Sequence, residues 1–87
     1  MKLAGKLCIS PNPAQHSVQI EIDNPDFKEG RMSIYDLSGR LILSKNIFNK
    51  EEMVNIAHLK SGEYICTVKS DNKVFVSKFV KAQWKLK

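Results

Sequence analysis

Arg31-Met32-Ser33-Ile34-Tyr35-Asp36 and Arg40-Leu41-Ile42-Leu43-Ser44-Lys45-Asn46, joined by Leu37-Ser38-Gly39, are the stretch that decides the fold. Two runs of apolar and polar residues flank a short link that ends in glycine. This is the signature of a β-hairpin with a three-residue loop, in which the last loop residue needs positive φ and glycine takes it without steric cost. The alternation predicts that Met32, Ile34 and Leu37 face one layer, with Leu41 and Leu43 opposite them. Gly39→Val is expected to destabilise the hairpin by about 1 kcal/mol or more.

Working outward, short β-like runs recur about every ten residues between turn signals, which predicts an all-β sandwich. Leu7–Ser10 stops at Pro11, which cannot donate to a ladder. Ser17–Ile22 alternates cleanly, with Val18, Ile20 and Ile22 on one face and Gln19 and Glu21 on the other. Asn24-Pro25-Asp26 breaks the pattern, and Phe27 is placed to plug one end of the sandwich. Met53–Ile56 is a short strand, and Leu59 anchors the following turn, which Ser61-Gly62 completes. Gly62–Ser70 and Lys73–Lys81 form a last hairpin joined at Asp71-Asn72. In its final strand neither face is purely apolar, because Lys78 lies on one and Lys81 on the other. That places the strand near a sheet edge.

Eighty-seven residues make one domain with a modest core. The charge of +5 invites a nucleic-acid reading, but the lysines are scattered singly and no aromatic–basic motif accompanies them, so nucleic-acid binding is set aside. No stretch approaches the roughly 20 apolar residues of a membrane span, so no transmembrane segment is expected. Residues 1–6 lack the apolar centre of a signal peptide and read as leader or vector-derived residues; residues 82–87 read as a tail whose Trp84 folds back or stays exposed. Cys8 points outward and Cys66 inward from their strands. Opposed faces keep the sulfurs apart, so two free thiols are expected.

Catalysis needs groups in paired roles, and the sequence offers none. His16 and His58 have no Cys or carboxylate at metal-ligand spacing, and Cys66 has no neighbouring base. The four glycines lie far apart, so no loop cradles a phosphate. Neither cofactor nor metal is expected. Asp36 is assigned a structural role, accepting backbone N–H bonds in its turn. Pro11-Asn12-Pro13 is a stiff exit from the first strand, with the Asn12 side chain serving local backbone groups.

Taken in order, Pro11-Asn12-Pro13, Tyr35-Asp36-Leu37-Ser38-Gly39-Arg40, Leu59-Lys60-Ser61-Gly62-Glu63-Tyr64 and Lys78-Phe79-Val80-Lys81 make the chain resemble the C-terminal sorting domains of type IX secretion cargo. The match runs from about Leu7 to Lys81. The resemblance implies an Ig-like antiparallel β-sandwich of about seven short strands over residues 7–81. It implies a non-catalytic address for an exported protein, carried behind an upstream cargo domain, read by a secretion-machinery receptor and removed by a sortase-like protease. Its motif residues here are Pro11, Asn12, Pro13, Asp36, Gly39, Arg40, Leu59, Gly62, Tyr64, Lys78 and Lys81. The protein would then pass through the periplasm to the cell surface or medium, with its signal peptide upstream on a longer chain. The closing hairpin offers an exposed strand edge for backbone pairing, with Lys78 and Lys81 to steer an acidic partner. The alternative is a β-sandwich adhesion or carbohydrate-binding accessory module, which calls for aromatics aligned on one exposed face; a small nucleic-acid binder is favoured only by the basic pI.

Overall fold

Alternating strands joined by tight turns, in a chain with no helix-forming stretch to cover them, bury their apolar faces by stacking sheet on sheet or by closing into a barrel. The computed structural model, which describes residues 2–3 and 5–82, does the former. Its strands are β1 (Lys2–Leu3), β2 (Lys6–Ser10), β3 (Ser17–Asp23), β4 (Gly30–Asp36), β5 (Leu41–Ile47), β6 (Glu51–Asn55), β7 (Gly62–Ser70) and β8 (Lys73–Lys81). One sheet runs β1-β8-β7-β4-β5 and the other β2-β3-β6. Every pairing is antiparallel except the two-residue contact of β1 with β8. The expected antiparallel β-sandwich is the fold, with no helix among the described residues.

The predicted alternation sets the core. Val18, Ile20 and Ile22 of β3 are buried against Met32 and Ile34 of β4, Cys66 and Val68 of β7, and Phe75 and Phe79 of β8. Phe27 closes one end, edge-on to Phe75 with ring centroids 6.2 Å apart. Cys66 lies in this core and Cys8 on the surface, both free, as the alternation required. Burial pushes the Cys66 thiol up to about 12, and it stays protonated at neutral pH.

The β4–β5 hairpin departs from expectation at two leucines. Ile34 pairs with Leu43 but Tyr35 with Leu41, so Ile42 is an extra residue on β5. Such a bulge turns two successive side chains toward one face, and Ile42 and Leu43 both pack against the core. Leu41 is thereby thrown outward, 53% exposed, and Leu37, at the tip of the turn, is 60% exposed. Neither contributes to the core face assigned to it.

The side of the sandwich between edge strands β5 and β6 is closed by charge. Lys45 lies at an inward register of β5 opposite Met32, and Glu52 at an inward register of β6 beside Ile20. Their Nζ and Oε2 meet at 2.8 Å. Inward charges at edges discourage pairing with foreign strands. On the other side the chain changes sheets at Gly5, where φ is +150° and an added Cβ would lie 2.8 Å from the Asp23 carbonyl oxygen. Residues 1–6, read from sequence as a leader, thus include a backbone pair with the terminal strand: Lys2 with Lys73 and Leu3 with Val74.

Candidate functional site: one pole of the sandwich

Asp36 ends β4, and its backbone and side chain together make the turn that follows. The Gly39 N–H donates to the Asp36 carbonyl at 3.0 Å, and the Asp36 N–H donates to the Arg40 carbonyl at 3.1 Å. Asp36 Oδ1 accepts the Ser38 N–H at 3.0 Å, the Ser38 hydroxyl at 2.7 Å and the Arg40 N–H at 3.0 Å. Arg40 Nε lies 3.4 Å from Oδ2. These donors, the Ser38 hydroxyl foremost, hold the carboxyl below its ordinary 3.8. A lowered carboxylate pKa stabilises the fold above the unfolded value, and that contribution is lost as pH falls through the folded one.

Gly39 has φ +90° and open space where a Cβ would stand. The cost of a side chain there is therefore backbone strain alone. Gly39→Val should destabilise the domain by about 1–2 kcal/mol in urea melts; a change below about 0.5 kcal/mol would mean the turn relaxes to another type.

The second motif turn fills the end of the core. Leu59 is buried, and its N–H donates to the Ile56 carbonyl at 3.0 Å. Tyr64 is buried, stacked on Phe79 with centroids 5.6 Å apart, and its hydroxyl donates to the Lys60 carbonyl at 2.6 Å. Gly62, opposite Lys81 in the β7–β8 ladder, starts β7. Lys81 departs from the steering role assigned to it. It is 7% exposed, and its Nζ donates to the Leu59 carbonyl at 3.0 Å. The face it shares with Phe75 and Phe79 points between the sheets, so its ammonium ties the end of β8 to the Leu59 turn. Lys78, on the opposite face, is exposed and lies 3.3 Å from Glu63; it alone of the two can meet a partner.

Pro11-Asn12-Pro13 acts at long range rather than locally. Asn12 Oδ1 accepts the Val80 N–H at 2.9 Å. Ala14, almost fully buried, donates its N–H to the Val80 carbonyl at 2.9 Å and accepts the Ala82 N–H at 2.7 Å. The rigid segment therefore extends the ladder beyond β8 and covers its outer edge there. Because Val80 turns its backbone groups outward, antiparallel alternation turns those of Lys78 and Val76 outward also. The edge open for pairing is confined to these two residues, between the β1 contact and the Asn12–Ala14 contact. Ala82, counted with the tail from sequence, is bonded into this clamp; Trp84 lies outside the described residues.

Asp36 pairs with Tyr64, Gly62 with Lys81, and Ala14 with Lys81. These registers bring all the motif segments to one pole of a domain measuring 46 × 24 × 18 Å. Asn12, Asp36, Tyr64 and Lys81 spend their polar groups on internal bonds, whereas Leu37, Arg40, Lys60 and Lys78 face solvent. Sequence reasoning missed Ala14, whose only signal was a small residue following two prolines, and Phe79, whose stacking on Tyr64 depends on the β7–β8 register.

Among the described residues no three His, Cys, Asp or Glu side chains gather where they could hold a metal ion, and no helix is long and apolar enough to cross a membrane. No curated protein matches the chain. A family model described as the secretion system C-terminal sorting domain matches residues 8–82, a span that begins in β2 and ends at the residue bonded to Ala14. With its motif segments assembled at one pole of an antiparallel sandwich, the chain belongs to the C-terminal sorting domains of the type IX secretion system, and its function is that of a sorting signal for export.

Proposed function

We propose that the address is the folded sandwich rather than a linear peptide, and that a receptor of the secretion machinery reads it at the motif pole. The observation that carries this reading is the convergence of segments as distant in sequence as Asn12 and Val80 on one surface, with a direct bond between them. A receptor contacting this pole would sense whether the chain has folded. The cargo domain would lie upstream. Any chain preceding Lys2 joins at the far pole, beside the β7–β8 turn where Lys2 pairs with Lys73, which leaves the motif pole unobstructed. Exposed Lys78 supplies a positive charge on the outward face of β8 for an acidic partner. On this reading a sortase-like protease removes the domain after passage through the periplasm, and the cargo reaches the cell surface or the medium.

The test is export of a fluorescent reporter carrying a signal peptide at its start and residues 1–87 at its end, so that the β1–β8 pairing is kept. In a host with an active type IX system the reporter should reach the surface or the medium, and in a secretion mutant it should stay in the periplasm. Periplasmic retention in both strains would refute the reading.

A further inference from the structure

The space between the two sheets opens at the motif pole. The 36–40 turn and residues 58–63 stand on either side of a groove of about 500 Å³, their bases joined by the Asp36–Tyr64 pairing. Ile42, Leu59 and Tyr64 line it with carbon, and exposed Leu37 overhangs it. The Tyr64 hydroxyl is committed to the Lys60 carbonyl, so the ring is a fixed wall and offers the groove no polar group.

Charge is confined to the rim, where Asp36 and Glu63 stand against Arg40 and Lys60, with Lys78 beside Glu63, a balance of one positive charge. The acids are engaged: Asp36 accepts three hydrogen bonds and faces Arg40, and Glu63 faces Lys78. The bases are available. Lys60 is exposed with no ion pair among the described residues, and the Arg40 side chain is 77% exposed despite its contact with Asp36. A preformed apolar slot with a few fixed polar groups at its edge suits one large side chain of an extended segment. A basic rim favours carboxylates on either side of it.

We propose that this groove binds an acidic segment of a protein partner, one large apolar side chain inserting against Ile42, Leu59 and Tyr64 while flanking carboxylates meet Arg40 and Lys60. The partner is the receptor of the preceding section, so the inference rests on the sorting reading. It divides the labour at the pole: Asp36, Gly39, Leu59, Gly62, Tyr64 and Lys81 build the groove, and Leu37, Arg40 and Lys60 make the contacts. Specificity then resides in one motif residue, Arg40, and in Leu37 and Lys60, which lie between motif positions.

The test uses the 87-residue chain and the peptide acetyl-Asp-Glu-Phe-Glu-Asp-amide, followed by NMR. Amides of residues 36–42 and 58–64 should shift, and replacing the peptide's phenylalanine by alanine should remove the shifts. Arg40→Glu with Lys60→Glu should weaken binding about tenfold or more, and the milder Arg40→Gln with Lys60→Gln should fall between. Lys28→Glu with Lys50→Glu makes the same change in net charge on exposed residues at the far pole and should leave binding within about twofold of the unaltered chain. Thermal melts establish that each variant is folded. Shifts absent from the groove, or equal losses in the two charge-reversed pairs, would overturn the proposal. In the export assay, Arg40→Glu with Lys60→Glu should lower export about tenfold while the far-pole pair exports normally. Normal export of both pairs would overturn the groove and leave the sorting reading intact. Failure of the unaltered fusion to be exported would refute the sorting reading, and the titration would then decide the groove alone.

Discussion

Replacing Phe79 by Ala will cost about 3–5 kcal/mol, the range for removing a buried aromatic ring. The ring is among the largest fully buried side chains of the domain. It packs between the sheets and stacks on Tyr64, so the loss combines a cavity with a broken aromatic pair. A domain of this size holds roughly 5–10 kcal/mol in total, so most of its stability is at stake. The melting temperature should drop by roughly 15–25 °C, measured by circular dichroism; a drop below about 5 °C would show that the core collapses around the gap. Val76→Ala, on the exposed face of the same strand, should change stability by no more than about 0.5 kcal/mol. This contrast bears on function. Deleting β8 would abolish export simply by unfolding the sandwich, so only substitutions on its outward face can separate a recognition role from a structural one.

Lys81→Met will destabilise the domain by about 1–3 kcal/mol, because it keeps the aliphatic stem and leaves the buried Leu59 carbonyl without its donor. Lys81→Glu will be worse, by about 3 kcal/mol or more, since it points a carboxylate at that carbonyl in a buried site. Urea midpoints measure both. If Lys81 served only to attract an acidic partner, both variants would melt with the unaltered chain while export failed. The structure predicts the reverse order of cause: stability falls first and export follows it. Lys78→Glu tests the other side of the strand. It replaces an exposed ion pair with two like charges, which alters stability by no more than about 1 kcal/mol, so any large loss of export from it reports on a partner.

Much of the architecture was legible from period and turn chemistry. β7 and β8 begin and end where Gly62, Ser70, Lys73 and Lys81 predicted. The link between them is a tight turn in which Asp71 takes φ 56°, the left-handed conformation that Asp tolerates better than most residues. Gly39, the opposed faces of Cys8 and Cys66, and the end plug Phe27 follow the same local logic. The motif residues were also legible as a set, but not the direction in which they act. The alternation of β8 already put Lys81 on the face of Phe75 and Phe79; a lysine there read as an edge charge because nothing in the neighbouring sequence offers it a partner.

What the sequence by itself determined, then, is every strand but β1, most of their inward and outward faces and the turns that join them. These depend on interactions within a few residues, namely side-chain period, fixed or positive φ, and side-chain bonds back to nearby backbone. Tertiary structure alone decided that Asn12 binds Val80, that Lys81 binds Leu59, that a bulge expels Leu41 and that Lys2–Leu3 joins the sheet edge. Three of these require groups far apart in the chain to meet, and the bulge, local to its hairpin, brings both Ile42 and Leu43 against the core. Which groups meet is set by sheet order and register, and those are chosen by the packing of the whole core.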